Sequence, residues 1–139
     1  MKIFLYYVGR AKDAHANALA EDYMSRVARY VTAEMREVRT DRGDIWTKHP
    51  TARKIFLDPA GKAIDSAAFA ALVGKAELEA RDLLFLVGGH DGLPAAWRVH
   101  ADLMLSLSPL TFPHELARAV LAEQIYRAFA SLRGHPYPR

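Results

Sequence analysis

The sequence predicts an α/β domain: one mainly parallel sheet with helices on both of its faces. Short apolar segments of strand length recur along the chain, and amphipathic segments of helix length stand between them. No internal repeat, low-complexity stretch or linker interrupts the 139 residues, so residues 1–139 are expected to form a single domain.

Residues 2–8 are nearly continuously apolar and rich in aromatic and β-branched side chains, which suits a strand buried on both faces. Leu19, Tyr23, Val27 and Tyr30 then recur at helical spacing with Glu21, Asp22, Arg26 and Arg29 between them, the pattern of an amphipathic helix. Residues 34–39 read as a short, more exposed strand and residues 54–57 as a buried one. Between these two, Gly43, Trp46, His49 and Pro50 break any pattern, and no full helix is expected. Asp65 or Ser66 caps a helix running to about Arg81, with Phe69, Leu72, Val73 and Leu78 as its apolar stripe. Residues 83–87 are the clearest buried strand. Residues 94–100 read as a short helix opened by proline, residues 103–107 as a fifth strand, and the segment after Pro113, residues 115–132, as the final helix.

Composition narrows the function. No apolar run approaches the roughly 20 residues of a membrane span, and the apolar start is followed by Gly9-Arg10-Ala11-Lys12-Asp13 rather than a cleavage site, so a soluble protein without a signal peptide is expected. The absence of cysteine excludes disulfides, thiolate zinc sites and a cysteine nucleophile, and is compatible with a reducing compartment. The formal charge is +3, and from Arg118 onward four arginines stand against one glutamate. Arg118 and Arg127 read as a solvated helix face. Arg133 and Arg139 flank His135 and Tyr137 on a short tail, which suits nucleic-acid contact as well as a solvated end.

In an open α/β sheet, ligands sit beyond the carboxyl ends of the strands. Three such ends are unusual here: residues 57–62, 87–93 and 107–113 are rich in glycine and proline, which permit close backbone approach and stiffen the loops. Each alone also reads as an ordinary turn. Neither G-x-G-x-x-G nor G-x-x-x-x-G-K-[ST] is present, which disfavours dinucleotide and Walker nucleotide sites. The six histidines show no tight ligand spacing, so no protein-bound metal is expected, and there is no G-x-S-x-G nucleophile elbow.

The order Leu107-Ser-Pro-Leu-Thr-Phe-Pro-His114, then Ala122-Glu-Gln-Ile-Tyr-Arg-Ala128, then His135-Pro-Tyr137, together with Met1-Lys-Ile3 and Gly88-Gly-His-Asp-Gly-Leu93, resembles the RlmH family of SPOUT methyltransferases over nearly the whole chain. The resemblance implies an α/β fold with a C-terminal trefoil knot that holds S-adenosyl-L-methionine. It further implies a cytoplasmic homodimer that methylates N3 of a pseudouridine in helix 69 of 23S rRNA on the assembled ribosome, without metal. Carried over by position, the cofactor residues are Leu57, Gly89, Leu107, Ser108, Pro109, Leu110, Thr111 and Phe112. His135, Tyr137 and Arg139 are the implied catalytic residues, and Arg133 and Arg139 the implied RNA contacts.

The chain departs from the family pattern at Pro138, where a histidine is usual, and at His90-Asp91, where Pro-Glu is usual. The connection across residues 40–53 is also shortened. Pro138 keeps a second reading open, an RNA- or ribosome-binding homologue impaired in transfer. A phosphorylatable receiver-like module built on Asp58 is disfavoured, because the acidic pair after the first strand and the lysine after the fifth are missing.

Overall fold

In the computed structural model, which describes residues 1–41 and 45–137, five strands form one sheet in the order β2-β1-β4-β3-β5, with every neighbouring pair parallel. The strands are β1 Lys2–Val8, β2 Thr32–Val38, β3 Arg53–Ala63, β4 Leu83–Val87 and β5 Leu103–Ser106. The helices are α1 Ala14–Val27, α2 Ile45–Lys48, α3 Ser66–Leu78 and α4 His114–Leu132, and residues Ala95–His100 form a 3₁₀ segment. Gly43, Pro138 and Arg139 lie outside the described residues.

Strand alternation sorts the core into two layers. Ile3, Leu5, Ile55, Leu83, Phe85 and Leu105 face α1, α3 and α4, whereas Phe4, Tyr6, Phe56, Leu84 and Leu86 face the other side. That second face is closed by α2 and the 3₁₀ segment, where Trp46 stands edge-on to Trp97 at 5.5 Å. Among the described residues, the connection between β2 and β3 forms one helical turn, and aromatic side chains cover the sheet there. All five residues of β4 are buried, as its place at the centre of the sheet requires.

Three element boundaries differ from expectation. Asp13 caps α1 by accepting the amides of His15 and Ala16 at 3.1 and 3.0 Å, and the helix stops at Val27, leaving Tyr30 beyond it. Helix α3 ends at Leu78 because the chain turns left-handed at Ala80 (φ 52°); its buried line is Phe69, Val73 and Ala76, and Leu78, expected in the apolar stripe, is 91% exposed. Strand β3 was expected to end at Leu57. It resumes after a bulge, so that Leu57 and Lys62 both lie opposite Leu105 and the strand reaches Ala63. This bulge carries Asp58 and Pro59 to the edge where the site forms.

A candidate ligand cleft at the carboxyl edge of the sheet

The carboxyl ends of β3, β4 and β5 open into one cleft of about 270 Å³, floored by the first turns of α4 at His114 and Ala117. Leu57, Gly89, Leu107, Ser108, Leu110, Thr111 and Phe112 line it, which is seven of the eight candidate cofactor positions. Pro109, the eighth, is exposed and does not line the cleft. Asp58, His90 and Gly92, which lie in the singled-out loops 57–62 and 87–93 but had no donor role assigned, also line it, as does His114.

Local bonds hold the lining in shape. Ser106 donates its hydroxyl to the Ser108 carbonyl at 3.1 Å, and the Ser108 hydroxyl accepts the Leu110 amide at 2.9 Å, which folds residues 106–110 into a tight turn. The Gly92 amide donates to the Gly89 carbonyl at 2.9 Å, closing a turn in which Gly92 has φ 74°. A Cβ on Gly89 would lie 2.9 Å from the Val8 carbonyl oxygen, so a side chain there would push the turn off β1. On the opposite rim, Asp58 accepts the Ala60 amide at 2.8 Å and pairs with Arg98 at 3.0 Å, tying the β3 bulge to the 3₁₀ segment.

The reading of Arg118 as part of a solvated face is overturned. Its side chain is fully buried, with Nη2 donating to the Val8 carbonyl at 3.1 Å and Nη1 to Asn17 Oδ1 at 3.2 Å. Burial pushes its pKa down while nearby Glu115, 3.7 Å away, pushes it up. Glu115 in turn accepts the amides of Lys12 and Asp13 at 2.6 and 3.0 Å and the Asn17 side-chain amide at 2.9 Å, which lowers its pKa to about 2. This network fastens the loop after β1 to the start of α4. The spacing Arg118, Leu121, Ala122, Ile125, Phe129 puts the arginine on the buried stripe of α4, a signal that its charge obscured. Arg127 pairs with Glu123 at 2.7 Å and is half-buried.

Arg133, His135 and Tyr137 are not brought to this cleft within one chain. Tyr137 packs on Tyr126 with ring centroids 4.7 Å apart and donates to Glu123 at 2.5 Å, roughly 9–13 Å further along α4 than the cleft. Burial and these bonds raise its pKa well above the ordinary tyrosine value. Arg133 pairs with Glu77 through both terminal nitrogens. His135 Nδ1 accepts the Tyr137 amide at 3.1 Å, so the neutral ring carries its proton on Nε2 and presents a donor. Arg139 lies outside the described residues.

The cleft is chemically suited to a flat, partly apolar ligand: Leu57, Leu107, Leu110 and Phe112 offer sandwiching surface, the backbone of residues 107–112 offers polar edges, and Asp58 offers a carboxylate. Among the described residues, no group of three or more His, Asp or Glu side chains is placed to hold a metal, and no helix is long and apolar enough to cross a membrane.

The profile of the family described as "Predicted SPOUT methyltransferase" matches residues 1–138. The chain is 69% identical, over the full length of both proteins, to the ribosomal RNA large subunit methyltransferase H of Solibacter usitatus. It is 41% identical, with 99% of each chain covered, to the protein of that name in Sorangium cellulosum. Two distant structures share the fold: a probable methylase family protein from Haemophilus influenzae Rd KW20 (TM-score 0.63, 10% identity, 99% of this chain and 70% of that one) and the SpoU methyltransferase AviRb from Streptomyces viridochromogenes in complex with AdoMet (TM-score 0.52, 14% identity, 94% and 61%).

Proposed function

The chain belongs to the RlmH family of SPOUT methyltransferases, and from that premise we propose that it methylates large-subunit ribosomal RNA with S-adenosyl-L-methionine as donor. The finer reading is N3 of a pseudouridine in helix 69 of 23S rRNA, on the assembled ribosome in the cytoplasm. The observation that carries the donor assignment is the convergence of residues 57, 89, 107, 108 and 110–112 on one cleft.

When bound, the donor supplies a methyl group from a sulfonium that leaves as a neutral thioether, so the residues have chiefly to align the partners and accept one proton. Leu57, Leu107, Leu110 and Phe112 hold the adenosyl portion and exclude water. The Ser106–Ser108–Leu110 bonds keep the loop in its binding shape before the ligand arrives, which lowers the ordering cost. Asp58, paired with Arg98, braces the rim. The trefoil knot implied by the family resemblance is part of this reading.

A homodimer belongs to the same reading. Tyr137 is docked along α4 and does not reach its own cleft, so a second copy is the natural acceptor of the tail, and Leu116 and Leu132 on α4 remain 39% and 40% exposed. On this reading the tail gives up its Tyr137–Glu123 and Arg133–Glu77 bonds when RNA binds, so that His135 donates to a carbonyl of the target base, Tyr137 stacks on it, and Arg133 and Arg139 hold neighbouring phosphates. Light scattering at micromolar concentration should give twice the 15.5 kDa chain mass; a monomer mass would remove the dimer from the proposal. Pro138 favours one other reading, donor binding without transfer.

Transfer of a radiolabelled methyl group to ribosomes from cells lacking the matching modification tests the main reading, with the methylated nucleotide mapped by mass spectrometry. Label in 23S rRNA is expected. Donor binding without label would select the impaired homologue.

A further inference from the structure

A second cavity, of about 430 Å³, lies behind the Gly89–Gly92 turn, bounded by Val8, Gly9 and Thr40 on one side and by residues 89–94 on the other. It shares Gly89, His90 and Gly92 with the donor cleft, so the two hollows border the same turn, where His90 is the one side chain they have in common. Methyl transfer brings the reacting atoms to about 3–3.5 Å, which requires the acceptor's pocket to abut the donor's. One other cavity also abuts the cleft, through Ser106 and Leu107. It lies between α3 and α4, and neither lysine nor arginine lines it. The cavity behind the turn adjoins the end of β1, where Arg10 and Lys12 are exposed and neither side chain has an ion pair among the described residues. That charge suits the phosphates either side of a flipped nucleotide.

Resting on the methyltransferase reading, we propose that this groove is the acceptor site, that it takes a uracil-type base turned out of its strand, and that Asp91 receives the imide proton. Its size lies within the range of small-ligand sites. Asp91 is exposed on the shared turn, lines the groove but not the donor cleft, and its carboxylate has no hydrogen bond or ion pair among the described residues. His135, the tail imidazole, presents a donor and does not take the proton in this arrangement. The proton passes from the imide nitrogen to the carboxylate, the nitrogen forms the new bond to the methyl carbon, and the electron pair of the broken C–S bond stays on the departing thioether. An anion and a sulfonium thus become a neutral acid and a neutral thioether.

Two variants test this in the full-length protein, with binding of S-adenosylhomocysteine by calorimetry, cosedimentation with ribosomes, and methyl transfer measured side by side. Thr40→Trp fills the groove from an exposed position that does not line the donor cleft. It should leave donor-product affinity within about twofold and lower kcat/KM for ribosomes by about 30-fold or more. Asp91→Asn keeps a hydrogen-bond acceptor but cannot take the proton, so it should preserve KM for ribosomes and lower kcat by about 100-fold, with Asp91→Glu restoring it. Wild-type transfer by Thr40→Trp would overturn the groove, and full kcat with Asp91→Asn would overturn the proton assignment. Absence of transfer by the wild-type protein would instead refute the enzymatic reading on which both rest. Replacement of Arg10 and Lys12 by Glu is an independent probe: the salt dependence of ribosome binding should flatten, and an unchanged slope would remove the phosphate contacts.

Discussion

The guanidinium of Arg118 lies over the ring of Tyr7, its central carbon 3.9 Å from the ring centroid. A cation buried at this depth is held by the ring face, the Val8 carbonyl, Asn17 and Glu115 together.

Arg118→Ala is therefore expected to destabilise the fold by about 3–5 kcal/mol, because it leaves Asn17 Oδ1 and the Val8 carbonyl without their donor and Glu115 without its neighbouring cation. Arg118→Met, which keeps the apolar stem, should cost less. Urea denaturation of both variants checks the order.

Glu115 gives the fold an acid limit. Its folded-state pKa of about 2 lies below the ordinary 4.5, so the stability it contributes is fully present above 4.5 and is lost as pH falls from there toward 2. The thermal midpoint of the wild-type protein should drop across that window. In Glu115→Gln it should start lower and change less, and parallel curves for the two proteins would refute this.

Thr111 is exposed at the mouth of the cleft and lines it, so Thr111→Trp should weaken S-adenosylhomocysteine binding about tenfold or more while circular dichroism stays unchanged. Gly89→Val should weaken it as well, but with a loss of stability, since its side chain meets Val8 first.

Deleting residues 134–139 should abolish methylation of ribosomes and leave donor affinity nearly unchanged, because among the described residues none of the tail lines the cleft. Tyr137→Phe removes the bond to Glu123 and should cost about 0.5–1.5 kcal/mol in thermal or urea unfolding. Arg139→Ala should lower the salt slope of ribosome binding by about one unit. Full activity of the truncated protein would leave the tail without a role in catalysis.

The strands were legible where burial on both faces leaves an unbroken apolar run, as in Lys2–Val8 and Leu83–Val87, whose bounds match expectation. The continuation of β3 was not, because Asp58-Pro59-Ala60-Gly61 has the composition of a turn, and only its return to Leu105 makes it a bulge. In the cleft, the glycine and proline loops announced themselves. Asp58 and His90 lay in those loops without an assigned role, and His114 was not legible, since what brings it there is the start of α4. Arg118 was misread because charge was weighed above spacing. The docking of Tyr137 along α4 depends on Glu123, Tyr126 and Tyr23 meeting across two helices, which no local pattern encodes.

The clamp between the loop after β1 and the first turn of α4 joins positions about one hundred residues apart, with Lys12 and Glu115 separated by 103. A growing chain presents β1 and α1 early but lacks the Glu115 and Arg118 side chains that tie Val8, Asp13 and Asn17 together until α4 follows, and the cleft lacks its floor until then. The slow step of folding should accordingly be closure of this long loop, with little stable structure in any amino-terminal fragment that stops before Arg118. A nascent chain of this protein would thus remain without a donor site until its last helix is made.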